Sequence, residues 1–434
     1  MNDTKLQSLL FAVLSCLLEV SCVLFDFRPQ QFAIERYIRS RARPASRSLN
    51  PVTEFNKVLD FVALVNQFGY PAEEHVLTTV DGYILRLHRI PGSSKSPKAK
   101  GKPVVYFQHG LLASSDTWVL MGPNKDFAYI LADAGYDVWF GNIRGNTYSR
   151  SHVLLSPDYD AQFWEFSWHE MAMYDVSMII DYILAETGRQ RLIYIGHSMG
   201  TTMSYVLLSM KPEYNKRIEL VISLAPVAFW HDRPSPFIRT LIDNTQMIKT
   251  FVLRARIHEI FPLTKANPRI AKASCTDESP LQPFCLDLLF FMSGYNPNGL
   301  NKTLVPYILS YYPAGASTRT LIHFSQNMQT GQFQMYDGGY INNFMVYGSQ
   351  RPPLYNLSNI VAPVALFYGK GDNIVANGDP LELAEKLPNV ITCEAVSDDN
   401  FTHFDFIFGN HLKTLLLDRL MAIISSTLKH KNST

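Results

Sequence analysis

The chain has 434 residues, of which 47% are hydrophobic and 18% are charged, and its formal net charge at pH 7 is +1. This length and apolar content exclude a disordered polypeptide, and they predict one large domain with an insertion, or two domains. The near-zero net charge, without a basic stripe interleaved with aromatic residues, excludes nucleic-acid binding.

The first 22 residues have the pattern of a secretory signal peptide. Lys5 precedes an apolar stretch at 9–18, and residues 20–22 offer a cleavage site. An uncleaved anchor is the alternative, because the apolar run can continue through 23–25, although Glu19 within it is costly in hydrocarbon. No other segment has about 18 uninterrupted apolar residues, so no stable transmembrane segment is expected after cleavage.

Three regions are predicted after the signal peptide. Residues 23–50 are rich in arginine and poor in periodic apolar residues, which is typical of a solvated linker or pro-segment. A core is predicted at 51–228 and again at 352–434, where strands and helices alternate. Between the two parts, 229–351 breaks this rhythm with helical, aromatic-rich sequence, and its length predicts an inserted, mostly helical cap.

The core is predicted to begin with strands at 83–87, 104–107 and 138–140, the last two being continuous apolar runs typical of buried parallel strands. Apolar residues at three- and four-residue steps predict an amphipathic helix over 168–184, with Gly188 ending it.

Three later strands and a terminal helix complete the predicted core. The strands lie at 220–224, 364–368 and 390–396, and the helix at 414–428. Alternation of this kind implies an α/β fold, with a mainly parallel sheet covered by helices on both faces.

Cys16 and Cys22 fall in the predicted signal peptide, which leaves three of the five cysteines. Cys275 and Cys285 are close in sequence, and in an oxidising compartment they can form a disulfide that closes a short loop. Cys393 lies in an apolar run and is expected to be a buried free thiol. No second cysteine pair or nearby histidine pair accompanies them, so no metal site is predicted.

Three Asn-X-Ser/Thr sequons are present, at Asn301, Asn356 and Asn400. They are glycosylation sites only if the chain is secreted. They agree with the predicted signal peptide.

The pentapeptide Gly-His-Ser-Met-Gly at 196–200 follows the apolar run 192–195 and precedes a helix-like stretch at 201–210. Ser198 is thereby placed on a strand-to-helix turn, the position of a nucleophile elbow. Such a turn strains the backbone of the serine and brings neighbouring chain close, so a side chain at either flanking glycine would collide.

Serine becomes a nucleophile only when a base removes its proton and a carboxylate holds that base in one tautomer. In α/β-hydrolases the order along the chain is serine, acid, histidine. Asp372 follows the strand 364–368 at its carboxyl end, where open α/β sheets place functional groups. His403 lies between the last strand and the last helix, so its loop can meet that of Asp372.

Other residues compete for these roles. His109 directly follows a strand, where it is better suited to shaping the oxyanion loop, and His197 should point away from the neighbouring nucleophile. Asp379 precedes a proline and favours a turn role. Asp405 has the position of a helix N-terminal residue.

A tetrahedral intermediate needs hydrogen-bond donors for its developing negative charge. One is expected from the backbone N–H of Met199, at a helix N-terminus. The other is expected from the turn 109–112, at the backbone N–H of Leu111.

Several motifs carry a resemblance to a known family. They lie at 69–74, 79–85, 108–115 (Gln-His-Gly-Leu-Leu-Ala-Ser-Ser), 141–149 (Gly-Asn-Ile-Arg-Gly-Asn-Thr-Tyr-Ser), 163–171 and 196–201. Over roughly 52–428 the chain resembles the acid lipases, the gastric, lysosomal and insect lipases of the α/β-hydrolase superfamily. It departs from the vertebrate members, which usually carry Gln where Met199 stands, and its arginine-rich stretch is longer than usual.

The resemblance implies an α/β-hydrolase fold and neutral lipid ester substrates. It also implies a catalytic triad, an oxyanion hole and a cap disulfide, formed respectively by Ser198, Asp372 and His403, by Leu111 and Met199, and by Cys275 and Cys285. The expected protein is a secreted or lysosomal lipase that forms an acyl-serine intermediate without a metal or organic cofactor. A non-catalytic lipid-binding relative and an acyltransferase with the same triad are the alternatives.

The apolar stretch at 284–291 is expected to shield an acyl pocket and to open at a lipid–water interface. A cap helix that merely packs is the alternative.

Overall fold

The computed structural model describes residues 58–230 and 235–432. The predicted signal peptide (1–22) and the arginine-rich segment (23–50) lie outside the described residues.

Within the described residues, an eight-stranded sheet and a separate two-stranded one organise the fold. The strands are β1 (Glu73–Thr78), β2 (Ile84–Ile90), β3 (Val104–Gln108), β4 (Asp137–Phe140), β5 (Leu192–His197), β6 (Ile218–Leu224), β7 (Glu259–Ile260), β8 (Ala316–Ser317), β9 (Val364–Tyr368) and β10 (Val390–Ala395). The large sheet has the order β1-β2-β4-β3-β5-β6-β9-β10. Only β2 runs antiparallel to its neighbours, so the predicted mainly parallel sheet is confirmed.

The α-helices of the described residues precede, connect and follow the strands. They are α1 (Phe61–Asn66), α2 (Phe127–Asp133), α3 (Trp168–Glu170), α4 (Ser177–Thr187), α5 (Met199–Met210), α6 (Pro236–Asp243), α7 (Thr245–Arg254), α8 (Asn267–Cys275), α9 (Gln282–Ser293), α10 (Val305–Ile308), α11 (Thr318–Thr330), α12 (Tyr340–Tyr347), α13 (Gly378–Lys386), α14 (Asp405–Phe408) and α15 (Asp418–Asn432).

The central strands β3, β5 and β6 are buried along their whole length. Because helices cover both faces of the sheet, successive residues of these strands face the interior, which explains their continuous apolar runs. The edge strand β1 instead alternates between exposed and more buried positions. It is not predicted from the sequence, because Val76 and Leu77 are its only strongly apolar residues.

The predicted helix 168–184 is present, with an irregularity. Ser167 and Glu170 form a capping box at its start, a π-helical turn (Met171–Val176) joins α3 to α4, and Gly188 ends it in the left-handed conformation (φ 67°). The terminal helix likewise begins with a π-helical turn (Lys413–Leu417) before α15. Apolar spacing predicts both helices but not the wider turns.

The segment between β6 and β9 contains α6 to α12 and the β7–β8 pair. Cys275 and Cys285 form the predicted disulfide, which joins the end of α8 to α9. Glu259 of β7 accepts hydrogen bonds from the Arg150 guanidinium at 3.0 and 2.9 Å. Cys393 is free as predicted but only half-buried, because β10 is the edge strand of the sheet.

Within residues 58–230 and 235–432, no helix combines the length and apolarity needed to cross a bilayer. Asn356 and Asn400 are exposed and Asn301 is partly exposed. Exposure makes these side chains accessible but does not test their glycosylation, which stays a prediction.

Candidate active site

Ser198 occupies the single residue between the end of β5 and the start of α5. Its backbone has φ 53° and ψ −122°, a conformation that costs a non-glycine residue about 1–3 kcal/mol. The backbone N–H of Ser198 donates to the carbonyl oxygen of Leu224, at the end of β6, over 3.0 Å. The serine is thus presented at the carboxyl edge of the sheet, on a turn fixed by the neighbouring strand.

Both glycines of the pentapeptide lie against backbone. A Cβ placed on Gly200 would lie 2.3 Å from the carbonyl oxygen of Gln108, and one on Gly196 would lie 2.7 Å from the carbonyl carbon of Gly200. The predicted collision at both flanking positions is therefore confirmed. A side chain at Gly200 would push α5 away from β3, one at Gly196 would push α5 away from β5, and either would move the serine.

Asp372 and His403 form a buried pair. The Nδ1 atom of His403 lies 2.8 Å from the Oδ2 atom of Asp372, and the two side chains are 3% and 0% exposed. The other carboxylate oxygen accepts from the backbone N–H groups of Ile374 (2.7 Å) and Val375 (2.9 Å). This arrangement makes Nδ1 the donor and leaves the lone pair on Nε2, as a general base requires.

The loops that carry Asp372 and His403 are in backbone contact. Gly371 donates its N–H to the carbonyl oxygen of Phe401 over 3.0 Å. A Cβ on Gly369 would lie 2.2 Å from that same oxygen. The glycines that follow β9 therefore allow the His403 loop to approach Asp372 closely.

His403 also lies beside the turn that carries Ser198. The ring of His197 is centred 4.8 Å from that of His403, and its Nε2–H donates to the His403 carbonyl oxygen over 3.1 Å. A Cβ on Gly110 would lie 3.1 Å from the Cβ of Ser198. The structure thus places His403 against His197, the residue before Ser198, and the turn after β3 against Ser198 itself.

The competing residues have other partners. Burial lowers the pKa of His197 well below its usual value, so this ring is a neutral support for the His403 backbone. Asp405 accepts hydrogen bonds from the Thr402 N–H (2.8 Å) and the Asn296 amide (2.9 Å) and begins α14, as its sequence position indicates. Asp379 lies in the first turn of α13 rather than in an irregular turn.

The two predicted oxyanion donors lie on the turns next to Ser198. Met199 begins α5, and Leu111 belongs to the turn after β3. Among the described residues, neither backbone N–H donates a hydrogen bond to a protein acceptor. Leu112 adopts φ 60°, and its carbonyl oxygen accepts from the Ala314 N–H over 2.7 Å, so the turn is fixed by the segment between β6 and β9.

A buried polar network holds this turn from below. The Nδ1–H of His109 donates to the Gly110 carbonyl oxygen (2.8 Å), and its Nε2 accepts from the Asn146 amide (3.2 Å). Asn142 accepts from the same amide (2.9 Å) and from the Ser115 N–H (2.9 Å). Burial lowers the pKa of His109 to about 4, so the ring is neutral. The sequence predicts the role of His109 but no role for Asn142 or Asn146. The only sequence signal for these two asparagines is that they belong to the motif at 141–149.

The carboxyl group of Asp116, four residues beyond Leu112, is fully buried next to this turn. Burial raises its pKa from 3.8 to about 7, although the hydroxyls of Tyr148 (2.8 Å) and Ser114 (3.0 Å) donate to it. Between pH about 4 and about 7 the folded protein therefore holds a proton that the unfolded chain releases, and the free energy of unfolding falls as pH rises.

We expect Asp116→Asn to flatten this dependence, because the amide does not titrate and still accepts from Tyr148. The gain at pH 7 relative to wild type should be at most a few kcal/mol, at about 1.4 kcal/mol per pKa unit. Urea denaturation of both proteins at pH of about 4.5 and 7 measures it. An unchanged difference between the two pH values would show that Asp116 does not titrate in this range.

The end of α9 touches the loops that carry Asp372 and His403. The carbonyl oxygen of Ser293 accepts from the backbone N–H groups of His403 (3.1 Å) and Asn373 (3.3 Å). A Cβ on Gly294 would lie 2.0 Å from the carbonyl oxygen of Gly371. Along α9, Phe290 is 8% exposed whereas Phe284 is 54% exposed, so only part of the predicted apolar shield is buried.

In the part of the chain that the structure describes, no group of three His, Cys, Asp or Glu side chains is placed to hold a metal ion.

Comparisons with known sequences show that this chain is similar to lipases. A family model described as alpha/beta hydrolase fold matches residues 103–278, and one described as a partial alpha/beta-hydrolase lipase region matches 61–122. Lipase 3 of Drosophila melanogaster is 40% identical over 82% of this chain and 91% of its own. Human gastric triacylglycerol lipase is 37% identical (84% and 91%), as is the lysosomal acid lipase/cholesteryl ester hydrolase of Macaca fascicularis (83% and 88%).

Among solved structures, a putative lipase from Sulfolobus solfataricus superposes with a TM-score of 0.54, covering 82% of this chain and 94% of that one. At 15% sequence identity this similarity shows the fold alone. Together with the family model, it confirms the predicted α/β-hydrolase fold.

Proposed function

We propose that this chain, which belongs to the acid lipase family of the α/β-hydrolase superfamily, cleaves the ester bonds of neutral lipids through an acyl intermediate on Ser198. Membership of the family makes it a carboxylic ester hydrolase. Triacylglycerols and sterol esters are the proposed substrates, since the names of two relatives include triacylglycerol lipase and cholesteryl ester hydrolase.

In the first half of the reaction, the Oγ atom of Ser198 attacks the ester carbonyl carbon while the Nε2 atom of His403 takes its proton. Asp372 keeps His403 in the tautomer that can accept this proton and stabilises the imidazolium that forms. The backbone N–H groups of Leu111 and Met199 donate to the negatively charged oxygen of the tetrahedral intermediate. The intermediate collapses when the alcohol leaves with the proton from His403.

In the second half, His403 removes a proton from water as the water oxygen attacks the acyl carbon. A second tetrahedral intermediate forms, stabilised by the same two N–H groups. Its collapse returns the proton to Ser198 and releases the fatty acid.

The observation that carries this proposal is the buried Asp372–His403 pair, at 2.8 Å, beside a serine held in a strained strand-to-helix turn. A serine that only packed would not require a backbone angle of φ 53° or flanking glycines packed directly against neighbouring backbone. A site of this kind also needs no metal, because the base activates the nucleophile directly.

We further propose a secreted or lysosomal location. The Cys275–Cys285 disulfide supports an oxidising compartment, and the exposed sequons Asn356 and Asn400 are compatible with passage through the secretory pathway. The names of the gastric and lysosomal relatives point to the same two destinations.

The test is fatty-acid release from emulsified triolein by the purified wild type and by Ser198→Ala, from acidic to mildly alkaline pH, with a short soluble ester as control. We expect release by wild type and loss of at least about 10³-fold in the variant. Turnover of the short ester alone would make the protein an esterase. Acyl transfer to an added alcohol in preference to water would make it an acyltransferase, and inactivity on both esters would favour a lipid-binding role.

A further inference from the structure

Helix α12 (Tyr340–Tyr347) has the opposite polarity to an ordinary surface helix. Its large apolar side chains face solvent, with exposures of 63% for Tyr340, 72% for Ile341, 60% for Phe344, 71% for Met345 and 62% for Val346. The only residue of this helix that is fully buried is the polar Asn343, which is 1% exposed. A surface helix normally buries its apolar stripe, so this orientation exposes hydrophobic area that folding alone would cover.

Specific hydrogen bonds fix the inverted orientation. The Asn343 side chain accepts from the Gly338 N–H (2.9 Å) and donates to the Asp337 carboxylate (2.8 Å) and the Gln350 carbonyl oxygen (3.0 Å). Rotating the helix to bury its apolar face would leave these groups unpaired, at a cost of about 1–3 kcal/mol each. The apolar face is therefore held outward by the native structure.

The chain segments before and after α12 are also held together by backbone hydrogen bonds. Met335 donates its N–H to Pro353 (2.9 Å), and Tyr355 donates to Phe333 (3.0 Å). The rings of Phe333 and Tyr355 are buried against Trp168 at the start of α3. The helix is thus a preformed projection on a packed base rather than a loose loop.

Charge and composition indicate what covers this face. Between residues 338 and 353 the only charged residue is Arg351, which is exposed and can pair with a lipid headgroup phosphate. The adjacent Asp337 carboxylate is partly buried and accepts hydrogen bonds from the Asn343 amide and the Gly339 N–H, both over 2.8 Å. Tyr340 combines an apolar ring with a hydroxyl that accepts a hydrogen bond from Gln350, a combination suited to a lipid–water boundary. We propose that α12 docks the protein on a lipid surface that carries zwitterionic phospholipid headgroups, by inserting Ile341, Phe344 and Met345.

A second copy of the chain fits the face less well. A stable protein–protein interface takes about 20–30 residues from each side. The exposed apolar face consists of five side chains on a helix about 12 Å long, and glycines and polar residues surround it. A lipid surface needs no matching partner and covers a small convex face completely.

This inference rests on the proposed function, which supplies the reason for meeting a lipid surface, but its test contains no hydrolysis step. The triple variant Ile341→Gln, Phe344→Gln, Met345→Gln keeps a good helix former at each position. The control is Val80→Gln, Val153→Gln, Leu154→Gln, at positions 83%, 55% and 87% exposed in other loops. Both are compared with wild type by flotation with phosphatidylcholine vesicles, after their circular dichroism spectra and melting temperatures are matched.

We expect wild type and control to float and the α12 variant to lose about tenfold or more in its partition coefficient. Equal flotation of all three proteins, or none by wild type, would overturn the proposal. Sedimentation of the same samples tests whether a second copy of the chain covers the face instead. If wild type is a dimer, the α12 variant is a monomer and neither binds vesicles, the face belongs to a second copy. The flotation assay does not depend on triolein hydrolysis. A negative result in one assay would therefore refute its own proposal without deciding the other.

Discussion

Replacing Asp372 with asparagine is expected to lower kcat for ester hydrolysis by about 10⁴-fold while the protein stays folded. The asparagine oxygen can still accept from the Ile374 and Val375 N–H groups, so the loop keeps its anchors. Its NH₂ group then faces the Nδ1 atom of His403 and forces the proton onto Nε2. In that tautomer the ring cannot take the proton of Ser198.

The matched control is Asp405→Asn, which changes a buried carboxyl two residues from His403. Asp405 bonds to Thr402 and Asn296 rather than to the imidazole, so its replacement should affect kcat far less. Steady-state kinetics on a soluble ester and circular dichroism compare the two variants. Equal losses of kcat would contradict the assignment of Asp372 as the residue that orients the base.

The largest expected change in stability follows from Arg144→Met. The guanidinium is buried with the Asp175 carboxylate (2.6 Å), reaches Asp81 (2.6 Å), and lies 3.9 Å above the Tyr83 ring. Removing it leaves a fully buried carboxylate without its cation, which costs about 3–5 kcal/mol of unfolding free energy. We expect a lower urea midpoint or loss of soluble protein.

Two further variants separate the mechanism from a general loss of packing. Arg144→Met combined with Asp175→Leu removes the stranded charge and should recover part of the stability, since a well-packed apolar pair can replace a buried ion pair. Arg86→Met breaks the half-exposed ion pair with Glu74 and should cost at most about 1 kcal/mol. A loss for Arg144→Met no larger than for Arg86→Met would contradict the assigned role.

Sequence patterns predict the core because local signals and tertiary context agree there. The runs that become β3, β4, β6 and β9 are apolar, short and bounded by breakers, so burial and strand propensity point the same way. The nucleophile's turn is predicted for a related reason. Its two glycines report close backbone contact, which the structure contains at both positions.

The supporting contacts of the site lie beyond such patterns because they join residues distant in sequence. Nothing in the sequence around Asn146 indicates that its amide meets His109, 37 residues away. Likewise, the carbonyl of Ser293 and the N–H of His403 meet only when α9 docks on the loop after β10. Residue types predict the reacting groups, whereas the shell that positions them requires the fold.

The orientation of helix α12 is not predictable from the sequence for a different reason. Its apolar residues satisfy a helical pattern, and the ordinary rule would assign them to the core. The direction in which they point is set instead by the hydrogen bonds of Asn343, whose partners are Gly338, Asp337 and Gln350. A pattern gives the separation between polar and apolar faces but not which of them is buried.

The most direct test of the central claim is covalent labelling with an alkyl fluorophosphonate, located by peptide mass spectrometry. Such a reagent modifies a serine whose proton is removed by a neighbouring base. Wild type should carry one adduct, on Ser198, and His403→Ala should label far more slowly while remaining folded. An adduct on another serine, or equal labelling of Ser198 without His403, would contradict the account of Ser198 as a nucleophile activated by His403 and Asp372.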